Sequence, residues 1–231
     1  MATPNISLTV DAIVFGYEPK EGLSVLLVKR KYPPFKGRWA IPGGFVKEKE
    51  TLEQAVEREL EEETGVKVNY LEQLYSFGNP KRDPRSRIVT IAYYGLVRSS
   101  NFELFAATDA EDAQWFHLNE LPKLAFDHQN ILDYALERLR NKISYQPIGF
   151  RLLDEKFTME EIHHLYEVVY GRALDRRNFR KKFLKLDILK ELKEKSGGGR
   201  GRPGSYYRFD EKKYLALEKK GMSFEVRFSS K

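Results

Sequence analysis

The sequence predicts an α/β protein in two parts: a domain mixing strands and helices without regular alternation, then a smaller basic domain. Three observations lead there. Strand-like apolar runs and helix-like stretches interleave through the first 145 residues, without the steady strand–helix alternation of a doubly wound sheet. The charge balance then changes sign: 19 Lys and Arg face 21 Asp and Glu through Tyr145, a net of −2, against 21 and 13 from Gln146 onward, a net of +8. Between them, Ile143 to Phe157 lacks periodicity and contains Pro147 and Gly149, as a linker does. The expected domains are 1–145 and 146–231.

Composition bounds the function. With 41% apolar and 32% charged residues, the 231-residue chain has a soluble globular profile. It has no cysteine, which excludes disulfides and thiolate metal sites and makes cytoplasmic residence the expectation. Met1 to Asn5 lacks the basic and apolar regions of a signal peptide, and no apolar run approaches the roughly 20 residues that span a bilayer. A near-neutral part joined to a basic one suggests that the second part faces a polyanion.

Leu8, Val10, Ala12 and Val14 alternate with Thr9, Asp11, Ile13 and Phe15, which predicts a strand. Val25 to Arg30 predicts a second. Pro33, Pro34 and Gly37 make a loop. Gly43-Gly44 leads into a helix from about Thr51 to Thr64, ended by Gly65. Val66 to Phe77 and Arg87 to Val97 read as strands, and Phe126 to Asn141 as a helix.

In the second part, Thr158-Met159-Glu160-Glu161 is a capping box opening a helix to about Tyr170. After a short turn, Asp175 caps a second helix, Arg176 to about Leu184. A basic loop, Ser196 to Ser205, follows, and Tyr206 to Phe209 leaves it as a strand. A last helix runs from Asp210 to about Lys220. Two helices joined by a turn and followed by a basic hairpin loop predict a winged helix-turn-helix. The second helix sets Phe179, Phe183 and Leu184 against Arg176, Arg177, Asn178, Arg180, Lys181 and Lys182. One apolar and one cationic face suit a DNA major groove. Arg200 and Arg202 sit in the glycine-rich loop, where they can reach phosphates or a narrow minor groove.

Glu59, Glu62 and Glu63 share one helix face at i, i+3, i+4, where like charges repel. A hard divalent cation, Mg²⁺ or Mn²⁺, relieves this because it prefers oxygen ligands. Around them the chain reads Gly44, five residues, Glu50, seven residues, then Arg58-Glu59-Leu60-Glu61-Glu62-Glu63-Thr64-Gly65-Val66. This resembles the Nudix box, G-x5-E-x7-R-E-U-x-E-E-x-G-U with U apolar, at every specified position. The resemblance implies an α/β/α sandwich on a mixed sheet and hydrolysis of a nucleoside diphosphate linked to another group. By the same resemblance Glu59, Glu62 and Glu63 hold the metal, Glu50 assists and Arg58 braces a carboxylate. The residue that takes the proton from water is left open among Glu62, Glu63, Asp109, Glu111 and Asp112.

Outside the box, Arg30 and Arg38 flank the loop before it, and Arg82, Arg85 and Arg87 follow Gly78; all five can face phosphates. Gly43, Gly44 and Phe45 complete the expected substrate-binding set, and Phe35, Trp39 or Phe45 can stack on a base. The stretches Pro34 to Phe45 and Arg82 to Tyr94 resemble those of Nudix enzymes and sensors that take ADP-ribose. No histidine is given a catalytic role. Tyr145 to Phe150 and Arg176 to Lys181 extend the resemblance to NrtR-type transcriptional regulators. That resemblance implies an ADP-ribose effector, double-stranded DNA as partner and a homodimer. Many such regulators have degenerate boxes, whereas this chain keeps every box residue, so residual or full pyrophosphohydrolase activity is expected. A plain ADP-ribose pyrophosphatase with a basic accessory domain, or a sugar-sensing regulator without catalysis, are the alternatives.

Overall fold

Strand β1 (Ser7–Glu18) is the axis of the first unit. Every residue from Thr9 to Tyr17 is buried, which requires cover on both faces of the sheet. In the computed structural model, which describes residues 5–68, 70–98, 110–195, 197, 204–226 and 228, β1 pairs in parallel with β6 (Ile88–Arg98) and antiparallel with β4 (Gly43–Phe45). With β2 (Gly22–Arg30), β3 (Trp39–Ala40), β5 (Leu71–Phe77) and β7 (Ala110–His117), these form a seven-stranded mixed sheet. Its order is β3-β2-β1-β6-β5, with β4 beside β1 and β7 beside β2.

Helix α1 (Leu52–Thr64) starts on a capping box between Thr51 and Gln54 and stops at Gly65, whose φ of 73° suits glycine. Its Ala55, Val56 and Leu60 pack with Val10, Ala12 and Val14 of β1. The alternate residues of β1, Thr9 and Asp11 among them, therefore point to the other face. Helix α2 (His128–Lys142) lays Tyr134 against Tyr75 and Phe77 of β5.

The second unit opens with a 3₁₀ turn, Pro147–Leu152, and a two-residue strand β8 (Phe157–Thr158). Helix α3 (Met159–Tyr170) begins on the capping box of Thr158 and Glu161, as the sequence predicts. Asp175 caps α4 (Arg176–Lys185) by accepting from the Asn178 N–H at 2.7 Å. Strands β9 (Leu189–Lys195) and β10 (Ser205–Phe209) complete an antiparallel sheet in the order β8-β10-β9, and α5 (Glu211–Lys219) follows. Phe179 and Phe183 of α4 stack at 4.4 Å and pack edge-on against Tyr166 of α3. This is a winged helix-turn-helix.

The two compact units are residues 1–18 with 23–138, and 19–22 with 139–231, so the chain passes from one to the other inside α2. Several elements differ from the expectation. Strand β5 begins at Leu71; Val66 is buried in the α1 core without joining a strand. Helix α2 begins two residues late because Phe126 takes a positive φ of 51°. Strands β3, β4, β7 and β8 were not anticipated, and β9 was expected only as a strand of unstated bounds before the basic loop. The described residues contain no helix long and apolar enough to cross a membrane.

Candidate functional site

Four carboxylates of the box converge on a loop, and one guanidinium organises three of them. Arg58 donates to both oxygens of Glu50, at 2.9 and 2.7 Å, and to Glu59 at 2.7 Å. It also reaches Glu62 and the carbonyl of Phe45, each at 3.2 Å. The fork pairing holds Glu50 at a pKa of about 2. Sequence reasoning gave Arg58 one carboxylate to brace; it touches three.

Glu63 is placed differently. It is buried and accepts the backbone N–H of Gly43 at 2.9 Å. Burial, with nearby Glu59 and Asp11 adding to it, pushes its carboxyl up to about 8. Burial raises Glu59 as well, with Arg58 pulling the other way. A Cβ at Gly44 would collide with the Glu59 carboxylate, so a side chain there would push Glu59 out of its bond with Arg58. Two partly desolvated carboxylates thus flank Gly43-Gly44 with oxygen donors only. Among the described residues no three His, Asp or Glu side chains form a ready-made cage. That arrangement still fits a small hard cation, which takes one or two carboxylates and completes its shell with water and phosphate oxygens.

Glu59 and Glu63 line a cleft of about 380 Å³. Of the expected substrate residues, Arg30, Gly43, Gly44, Phe45, Arg82 and Arg85 line it too. Arg38 and Arg87 do not: Arg38 lies over the Phe35 ring at 5.4 Å, and Arg87 donates to the Gly78 carbonyl at 2.7 Å. Arg30 and Arg85 both lie on the ring of Phe126, at 4.8 and 5.6 Å, and Arg85 also lies 5.5 Å from the half-exposed Phe45. Phe35 meets Phe126 edge-on, while Trp39 packs against Phe116. A cationic, aromatic wall over an acidic floor suits an anionic ligand carrying a planar group.

Beneath lies a buried polar cluster of which sequence reasoning named only Arg82, there expected to face phosphates. Arg82 makes a fork to Asp127 at 3.1 and 2.9 Å and stands 3.5 Å from Asp11. Burial raises Asp11 to about 6, with Arg82 opposing. His128 accepts the Ile41 N–H through Nδ1 at 2.8 Å. Burial, then the Arg82 charge, lowers its imidazole to about 3, so it is neutral. The one available signal was a polar residue, Asp11, inside an apolar strand. Of the open proton acceptors, Glu111 pairs with Lys29 and Asp112 accepts from Gln114, both outside the cleft lining. Asp109 lies outside the described residues, as do Arg200 and Arg202.

In the second unit, Arg176, Arg177, Asn178, Arg180 and Lys181 are exposed on α4, opposite the buried Phe179 and Phe183. Arg176 pairs with Glu160, and Arg180 reaches the Tyr207 hydroxyl at 3.4 Å. Lys182 is partly withdrawn, 5.1 Å over the Phe228 ring. Both helix ends of the turn are pinned: buried His163 bonds the Leu174 carbonyl at 3.0 Å, and Glu167 accepts the Leu174 N–H at 2.8 Å.

Comparison with known proteins matches both units. Residues 7–138 match the NUDIX domain model and residues 149–209 the NrtR DNA-binding winged helix domain model. The chain is 35% identical over 212 residues to the ADPR responsive transcriptional repressor NtrR of Acinetobacter baylyi, covering 89% of this chain and 83% of that one. It is 46% identical over 131 residues to the ADP-ribose pyrophosphatase of Methanocaldococcus jannaschii, covering 55% and 72%. The crystal structure of Shewanella oneidensis NrtR aligns with a TM-score of 0.75 at 37% identity over 87% of this chain and 93% of that one. That protein has also been solved with a 27mer DNA (TM-score 0.73, same identity and coverage). Its NUDIX domain has been solved with ADP ribose (TM-score 0.54, 39% identity, 59% and 90% covered).

The raised Glu63 carboxyl has a sign that can be measured. Its ordinary value is 4.5 and its folded value about 8, so between them the folded state holds the proton more tightly. Stability of the metal-free protein is lost as pH rises through that window. Glu63→Gln, which keeps an acceptor for the Gly43 N–H, should match wild type near pH 5 and melt a few degrees higher at pH 9. Thermal melts in EDTA at the two pH values check this; parallel curves for both proteins would contradict it.

Proposed function

The chain belongs to the Nudix family, in the branch that joins a NUDIX domain to an NrtR winged helix domain, and from that premise we propose that it is a DNA-binding regulator whose effector is ADP-ribose and whose cleft still hydrolyses it. The observation that carries this reading is the complete set of glutamates, held by Arg58 and the Gly43 N–H, in one chain with an exposed cationic helix α4. A regulator with no need for turnover has no reason to keep two desolvated carboxylates that cost stability when ionised.

The residues divide the work. Arg30 and Arg85 would bind the diphosphate, and the Phe45 and Phe126 rings on which they lie would line the base. Glu59 and Glu63, with Glu62 linked to them through Arg58, would hold Mg²⁺ or Mn²⁺, and Arg58 holds Glu50 and Glu59 in place beside the loop. A bound cation supplies charge neutralisation on the phosphate oxygens and acidifies the attacking water. The box groups that could take the proton from water are half-exposed Glu62 and, once a cation has displaced its own proton, Glu63. On DNA, α4 enters the major groove, and a homodimer places two such helices on half-sites separated by whole helical turns. The similarity to the archaeal pyrophosphatase favours one alternative, a plain hydrolase whose basic unit serves another purpose; specific DNA binding separates the two.

With Mg²⁺ or Mn²⁺ the protein should cleave ADP-ribose to AMP and ribose 5-phosphate. Glu62→Gln or Glu63→Gln should lower the rate by orders of magnitude; chromatographic detection of AMP tests this, and a wild type inert towards every nucleoside diphosphate compound sinks the enzymatic half.

DNA affinity should fall steeply with salt. Arg177→Ala or Lys181→Ala should weaken it by roughly tenfold and alter base preference. Mobility shifts that reveal only weak, sequence-blind binding favour the plain hydrolase.

Saturating ADP-ribose should weaken DNA binding, typically by 5–150-fold, and DNA should weaken ADP-ribose binding by the same factor. Fluorescence anisotropy of labelled operator, with and without ligand, measures it for wild type and Glu62→Gln. Equal affinities despite proven ligand binding would leave the two activities uncoupled.

A further inference from the structure

Helix α4 exposes one residue that its charge does not explain. Leu184 is 43% exposed, although the sequence grouped it with Phe179 and Phe183, which are buried. Helix geometry accounts for the difference. Phe179 and Phe183 are a turn apart and share one face. Leu184 follows Phe183 directly and so points about 100° away from it. Lys181 precedes it by three residues and Arg177 by seven, which puts all three along the outward face. Leu184 is the one apolar residue of α4 that is exposed.

The rings that anchor α4 hold this arrangement. Phe179 and Phe183 stack at 4.4 Å and meet Tyr166 edge-on. Rolling the helix to bury Leu184 would undo that packing. On one flank Lys182 lies over the Phe228 ring, and on the other Arg180 reaches the Tyr207 hydroxyl. Leu184 therefore stays in water beside Arg177, Arg180, Lys181 and Lys185, which are all exposed. A solitary surface leucine is ordinary. This one sits within the cationic face that the DNA-binding reading turns towards the major groove.

The chemistry of the groove says what an apolar side chain does there. Phosphates and the acceptors of guanine suit the arginines and lysines. The apolar group displayed on the groove floor is the C5 methyl of thymine. A leucine over that methyl is buried against carbon. Over the polar edge of another base it would cover a donor or acceptor and leave it without a partner. Burial of Leu184 thus favours thymine over the other bases.

We propose that Leu184 is a specificity-determining residue that reads a thymine methyl in the DNA site. This rests on the DNA-binding reading above and deepens it. A helix rises 1.5 Å per residue, so Leu184 lies about 10 Å along α4 from Arg177. With base pairs 3.4 Å apart, the thymine stands within about three base pairs of the base that Arg177 contacts.

The test starts from a pool of random-sequence duplexes enriched on the full chain. The enriched duplex is the probe. Each of its thymines is replaced in turn by deoxyuridine, which lacks only the C5 methyl, and affinity is read by fluorescence anisotropy. At one thymine of a half-site the replacement should weaken wild-type binding by about fourfold, the scale of one buried methyl. Leu184→Ala should bind the unmodified duplex several-fold more weakly and lose the discrimination at that position alone. Leu184→Met, which keeps an apolar side chain of similar size, should retain most of it. Arg177→Ala should weaken binding yet preserve the difference between thymine and deoxyuridine. Leu215→Ala removes a comparably exposed leucine from α5 and should change neither quantity. Should Leu184→Ala not fold, Leu184→Gln takes its place. If every thymine can be replaced without loss, or if Leu184→Ala keeps the discrimination, the proposal is overturned and DNA binding stands. A chain that enriches no sequence sinks the DNA-binding reading and this one with it.

Discussion

The site depends on Arg58. Its guanidinium ties the loop at Phe45 and Glu50 to Glu59 and Glu62 on α1, through bonds of 2.7 to 3.2 Å. A strand end and a helix face are thereby locked into one geometry. The planar fork is what allows it: a lysine has a point charge and no fixed pair of parallel donors to offer Glu50. Arg58 also compensates charge, but unequally. Glu50 is held ionised, whereas Glu59 stays partly desolvated beside Gly44 and Glu63 has no guanidinium donor among the described residues. The unevenness leaves two carboxylates whose ionised forms are under-compensated, and a cation bound there would supply what they lack.

The box and the winged helix were legible because both are local. Capping boxes, a helix-ending glycine and carboxylates at i, i+3, i+4 are written within a dozen residues and resolve without knowledge of the rest. Asp11, Asp127 and His128 were not legible, because their meaning comes from β1 meeting the start of α2 across the sheet, a relation no periodicity encodes. Phe126 was missed for the same reason; it lies just outside a helix and matters only because Arg30 and Arg85 come to it from elsewhere. Strand β9, Leu-Lys-Glu-Leu-Lys-Glu-Lys, has only two leucines to show and is held by its pairing to β10 rather than by burial. Conversely Arg38 and Arg87 had the right charge and neighbourhood in sequence, yet they face Phe35 and the Gly78 carbonyl.

The second unit solves a different problem. A helix with five exposed polar or cationic residues, Arg176, Arg177, Asn178, Arg180 and Lys181, has little apolar surface with which to anchor itself. Two phenylalanines do the anchoring, stacked on each other and met edge-on by Tyr166. Phe150 stacks on Phe209 at 4.3 Å, which fastens the 3₁₀ turn to β10 in the same unit. Large rings in fixed orientations set the rotation of α4 about its axis, and so decide which side chains it presents.

The parallel ladder of β1 with β6 runs from Ser7↔Ile88 to Tyr17↔Arg98. Its two strands are separated by most of the first unit, including α1. Closing such a long loop is paid for in chain entropy before any of its contacts are made, so the ladder forms slowly. Helices α3 and α4, joined by a few residues, face no such delay. On a growing chain the floor that holds Asp11 cannot exist until β6 has been synthesised, whereas α1 and its glutamates can form earlier. Both β1 and the acidic helix thus leave synthesis before β6, the strand whose arrival completes the sheet beneath the cleft.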